Sequence, residues 1–140
     1  MTQAAAKRSS ARKSPSARKP RDALIWLASP ADKDFPAAAS YLGLSHVPKQ
    51  AKKLVAALRA APLTQYEAKD IFRASGLPLL GLGNHHVEKE RARIRVGDAL
   101  SPILLVRDAL RGRVVIADGY HRLCAAYSLD EDALIPCRIV

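Results

Sequence analysis

The chain has 140 residues, 49% of them apolar, which suits one domain with a real core and excludes a wholly disordered protein. Its 23 lysines and arginines outweigh 13 acids, a net +10 that favours an anionic partner (nucleic acid, nucleotide or acidic lipid) and says nothing of fold. Two cysteines, Cys124 and Cys137, exclude a disulfide scaffold or a four-thiolate zinc module, and no apolar run is long enough to cross a bilayer. The start of the chain lacks the apolar stretch of a secretory signal, so the expectation is a bacterial cytoplasmic protein with reduced thiols and no membrane partner.

Residues 1–21 hold Lys7, Arg8, Arg12, Lys13, Arg18, Lys19 and Arg21 and no acid, leaving 16 basic residues against 13 acidic in the remainder. Ala, Ser and Pro fill the gaps, and no aromatic or branched aliphatic side chain is present to offset the entropy of ordering the chain. This composition predicts a disordered basic arm. As a DNA-binding tether it would grip phosphates without reading sequence, with a steep salt dependence; as a solubility tail it would touch nothing in particular.

Residues 22–61 read as a helical extension. Leu24-Ile25-Trp26-Leu27 is an apolar anchor closed by Ser29-Pro30, and Trp26 suits a core or docking position. Residues 32–42 form a short helix with Pro36 in its first turn. Residues 47–61 form a longer one, with Ala51, Leu54, Val55 and Leu58 on one face and Lys49, Lys52, Lys53 and Arg59 on the other. Such a basic face is what any surface helix shows. Pro62 breaks this helix, Leu63-Thr64-Gln65-Tyr66 is a brief strand, and residues 68–75 form a helix stopped by Gly76. The intervening strand argues against a helix-turn-helix reader. Residues 77–83 are a loop, after which Asn84 caps a charged helix running to about Arg95, with Val87 and Ile94 inward and Gly97 as its stop.

The last forty residues give a strand at 102–106, a hairpin turn with Gly112, a strand at 114–117, a helix at 121–129 and a strand at 135–140. Pro136 suits an edge or a strand start. The unit with chemistry in it is strand, Asp118-Gly119-Tyr120-His121-Arg122, helix. Glycine permits unusual backbone angles and close approach of a ligand. The helix start leaves amides without internal acceptors, and its dipole adds positive charge. His121 and Arg122 bring charge and planar donors to the same turn, so the unit suits a nucleotide phosphate.

Gly119-Tyr120-His121-Arg122-Leu123-Cys124-Ala125-Ala126 resembles the box of the ParB and sulfiredoxin superfamily, and Leu100 to Val106 resembles that family's Pro-led strand. Thr64 to Gly76 suits its opening strand and helix, so the resemblance spans about residues 62–140. It implies a ParB/sulfiredoxin-like α+β domain with a small mixed sheet and packed helices, and assigns Gly119, Tyr120, His121 and Arg122 to nucleotide phosphates, with His85 and His86 near them. Tyr120 stands where sulfiredoxins have their catalytic cysteine, and a phenol cannot act as that redox nucleophile. Tyr120 also replaces the Glu of the ParB box, and Cys124 replaces its later Arg, which tells against CTP hydrolysis. The kinase branch of the family would make Asp118 catalytic, as a magnesium ligand or base; a plain helix cap is the other reading of that residue.

These readings predict a nucleotide-binding domain associated with DNA, or with the nucleoid, through the arm. The nucleotide is ATP, ADP or CTP, with Mg2+ an open cofactor and a homodimer an open assembly. A small-molecule phosphotransferase using Asp118 and a non-catalytic interaction module with a vestigial phosphate loop are the alternatives. His121 and Cys124, three apart on a helix, offer two metal ligands and no local third, and both cysteines read as small buried apolar residues.

Overall fold

The computed structural model describes residues 23–81 and 83–140. The expected arm, with Lys7, Arg8, Arg12, Lys13, Arg18, Lys19 and Arg21, lies outside them. The described residues form an α+β structure of five helices and four strands. In chain order these are α1 (Asp34–Leu42), α2 (Pro48–Ala60), β1 (Thr64–Glu67), α3 (Ala68–Ser75), α4 (His85–Arg95), β2 (Ile103–Asp108), β3 (Arg113–Asp118), α5 (Tyr120–Leu129) and β4 (Leu134–Ile139).

Local chemistry explains most boundaries. Pro48 opens α2, where its missing N–H costs nothing. Gly76 ends α3 at φ 67°, returning its N–H to the Phe72 carbonyl. The Asn84 side chain accepts from the amides of His86 and Val87, at 2.9 and 3.1 Å, and so starts α4.

The strands form one mixed sheet in the order β1-β4-β2-β3. Its β1–β4 and β2–β3 pairs are antiparallel, while β2 and β4 run parallel. Pro136 therefore lies in an interior strand rather than at an edge. The exception is local: Pro136 pairs with Gln65 of β1, whereas the ladder with β2 begins only at Cys137.

Alternation along β2 builds two cores. Ile103 and Leu105 face one side, where Ile71 of α3 and Leu123 and Ala126 of α5 cover them. Leu104 and Val106 face the other, against Phe35, Ala38 and Leu42 of α1 and Ala51 and Leu58 of α2. Helices α1 and α2 thus close the second face of the sheet, while Leu24 and Trp26 pack against the clusters around α5. Val87 and Ile94 of α4 pack on the far side of α5, against Cys124 and Ala125. Helix α5 is buried between the sheet and α4, so its apolar residues do not form a single stripe.

Ahead of α1, Trp26 makes a parallel bridge to Leu100, with Leu27 donating to the Leu100 carbonyl and Leu100 to that of Ile25. Helices α2 and α3 are separated by β1 and do not form a helix-turn-helix. No helix among the described residues is long and apolar enough to cross a membrane.

Candidate functional site

Strand β3 delivers the chain to Gly119 at φ 110°, and α5 begins at the next residue. A Cβ at Gly119 would stand 2.4 Å from Cγ2 of Ile103, so glycine is required there by core packing as well as by backbone angle. The space beside its Cα is filled by Ile103. Gly119 offers no side-chain cap, and the first bond of the helix runs from Leu123 N to the Gly119 carbonyl at 2.9 Å. The amides of Tyr120, His121 and Arg122 precede it and lack acceptors within the helix, at its positive end.

Imidazoles gather at this corner. The Asn84 cap begins α4 so that the His86 ring lies 4.8 Å from that of His121, centroid to centroid. His85 adjoins His86 at 5.4 Å, and Tyr120 adjoins His121 at 5.5 Å. The Tyr120 hydroxyl donates to the Pro78 carbonyl, tying the preceding loop to α5. Burial, then the nearby Cys124, pushes the Tyr120 phenol up, so it remains protonated at neutral pH. Burial lowers the pKa of His121, and His86 lowers it further, while Glu90 opposes both. The structure therefore brings Gly119, Tyr120, His121, His85 and His86 together, with His85 and His86 exposed to solvent.

Arg122 turns into the fold beside Gly119, where its Nη2 would stand 3.0 Å from a Cβ at that residue. Its Nη2 donates to Oδ2 of Asp118 at 2.9 Å and lies 3.6 Å from Oδ2 of Asp34, with the guanidinium-bearing side chain only 13% exposed. Ser101 Oγ donates to the same Asp34 oxygen and accepts from the Ala31 amide. Nη2 of Arg122 is thus engaged inside the fold by its i−4 neighbour and a buried acid of α1, while its Nε is buried without a hydrogen-bond partner among the described residues. Asp118 neither caps α5 nor stands free, since its carboxylate takes the guanidinium. Burial raises the pKa of Asp118, Arg122 pulls it back, and Asp34 raises it again.

Asp34 and Ser101 escape a reading of the sequence confined to the Gly119 box. A signal existed for one of them: Asp34 shares the inward face of α1 with Ala38 and Leu42, where a charge demands a partner. Cys124 and Cys137 are free thiols inside the core. Burial raises both, Cys137 to about 11, so neither offers a thiolate at neutral pH. Among the described residues no cluster of three or more His, Cys, Asp or Glu could hold a metal ion. No protein-family model matches the chain, and neither a curated protein nor a solved structure does.

Proposed function

We propose that this chain binds a nucleotide through its phosphates at the start of α5, in a domain of ParB/sulfiredoxin-like type. The observation that carries the reading is the pairing of His86 and His121 beside a helix start that has no side-chain cap. Two imidazoles at 4.8 Å repel one another once protonated, and an anion between them and the free amides removes that repulsion. The likeness of the Gly119-Tyr120-His121-Arg122 box to that superfamily supports the same corner. Arg122 serves it from behind, by fixing β3 to α5. The reading is one of binding, and it gives Asp118, whose Oδ2 accepts from Arg122, a positioning part. Seven positive charges within residues 1–21 support a non-specific tether to DNA, which would place the nucleotide site near nucleic acid.

Calorimetric titration of the full chain with ATP, CTP and pyrophosphate, each with and without magnesium, tests the reading. A bound phosphate restores the proton that burial and His86 withdraw from His121. Affinity therefore rises by about tenfold as the pH falls from about 8 to about 6, and His121→Ala flattens that rise. Absence of binding by every probe, or a pH profile unchanged in His121→Ala, overturns it.

A further inference from the structure

The α1–α2 connection lies at the end of the sheet opposite Gly119. Helix α1 starts at the Gly119 end, where Asp34 meets Arg122, and packs along β3. Helix α2 finishes at that end too: the carbonyls of Leu58 and Arg59 accept from Arg138, which the ladders place level with Leu104 and Asp118. Residues 43–47, between the two helices, are therefore at the far end, the one that holds the turn from Asp108 to Arg113. That end carries bare aliphatic side chains. Leu44 is 84% exposed, Val47 67%, and Leu110, on the β2–β3 turn, 98%. At such exposure they project from the surface and line no groove.

The charge around them is one-sided. No acid occurs between Asp34 and Glu67. Lys49, Lys52 and Lys53, in the first two turns of α2, are exposed and have no ion-pair partner among the described residues. Helix α4 is the contrast: there Arg91 and Arg93 lie 3.8 and 3.5 Å from Glu88 and Glu90. The acids at the turn end are already matched, Asp108 by Arg111 at 3.2 Å and Asp70 by Arg73 at 3.6 Å. Aliphatic tips backed by unmatched cations suit the interface of an anionic bilayer, which takes the first among its acyl chains and the second among its headgroups. Along the helix, Lys49 to Lys53 stand about 3–9 Å behind Val47, and their flexible stems reach one headgroup layer. A nucleic acid would use the lysines and leave the tips wet, and a second copy would set lysine against lysine. Lying on a surface needs no spanning helix.

We propose that this end of the molecule docks on an anionic lipid surface, with Leu44, Val47 and Leu110 inserted and Lys49, Lys52 and Lys53 holding the headgroups. The inference is independent of the nucleotide reading, whose helix start lies at the other end of β3. The full chain carrying Ser45→Cys is labelled with an environment-sensitive fluorophore, while Cys124 and Cys137 are buried and stay unlabelled. Vesicles of phosphatidylglycerol and phosphatidylcholine in equal parts move its emission to the blue, and phosphatidylcholine alone does not. The same dye on Ala60→Cys, at the exposed far end of α2, is unshifted. The Lys49→Gln, Lys52→Gln, Lys53→Gln variant needs about 100-fold more lipid for half the Ser45→Cys signal, the usual worth of three lysines at an anionic surface. The Leu44→Ser, Val47→Ser, Leu110→Ser variant loses the blue shift and keeps its melting temperature, since all three side chains are exposed. Residues 1–21 are the same in every variant, so the differences report this end alone. An equal shift on neutral vesicles or at Ala60→Cys, or a signal unchanged in either triple variant, overturns the proposal. So does a shift produced without lipid, by duplex DNA or by raising the protein concentration.

Discussion

Replacing Arg122 leaves Asp34 and Asp118 beside one another with no cation between them. Removing one partner of a buried ion pair costs about 3–5 kcal/mol, because the remaining charge has lost its compensation. The Arg122→Met variant is therefore expected to lose that much stability at about pH 7. The loss depends on pH, and its sign follows from Asp118. Its pKa in the folded state is already raised by burial, so its contribution falls as pH rises from the ordinary carboxylate range through the raised value. Without Arg122 that value climbs further. Urea unfolding should then show a smaller deficit at about pH 4, where Asp118 takes up a proton, than at about pH 7. A deficit equal at both pH values would mean that Arg122 acts through packing alone. The sequence shows a guanidinium on the first turn of a helix, which suits an anionic ligand. Its real partners are a residue four positions back and an acid on a distant helix, and the second is invisible to local spacing.

At the scale of elements, legibility follows the range of the forces that set each boundary. The ends of α3 and the start of α4 depend on Gly76 and Asn84, whose effects are confined to one turn, and both lie where the spacing places them. Pro136 depends on which strands flank β4, and that is decided by the parallel pairing with β2, far away in sequence. The candidate site divides in the same way. Gly119, Tyr120 and His121 are contiguous and therefore legible, whereas the approach of His86 to His121 requires α4 to dock on α5 through Val87 and Cys124. Asn84 links the two levels, since its carbonyl oxygen holds the amide of His86 itself. Asn84→Ala is expected to cost about 1 kcal/mol in urea unfolding, the usual penalty for a lost cap. It should also weaken pyrophosphate binding, because the first turn of α4 frays and the imidazole pair loses its geometry. Unchanged anion affinity with the expected loss of stability would remove His86 from the site.

Over the whole molecule, residues 23–61 and 62–140 contribute side chains to the same hydrophobic clusters. Leu104, Val106 and Ala117 are buried only because α1 and α2 lie over them. Polar contacts tie the same two parts together: Arg138 of β4 donates to the carbonyls of Leu58 and Arg59 at the end of α2, at 3.3 and 2.6 Å, and Asp34 of α1 meets Arg122. Arg59 in turn lies over the ring of Phe35 at 4.3 Å, joining α2 to α1. Composition marks residues 22–61 as helical but gives no hint that α1 and α2 cover one face of the sheet, because amphipathic helices look alike whatever they cover. A fragment of residues 62–140 would expose Leu104 and Val106, each worth about 1.5–3 kcal/mol on burial, and would leave Arg122 without Asp34. Those losses alone approach the whole stability of an ordinary domain, about 5–15 kcal/mol. The fragment is therefore expected to lack a cooperative unfolding transition by circular dichroism and to aggregate on gel filtration, whereas a chain shortened only by residues 1–21 should unfold cooperatively. A 62–140 fragment that melts in one sharp step would show that this part stands alone, with α1 and α2 added upon it.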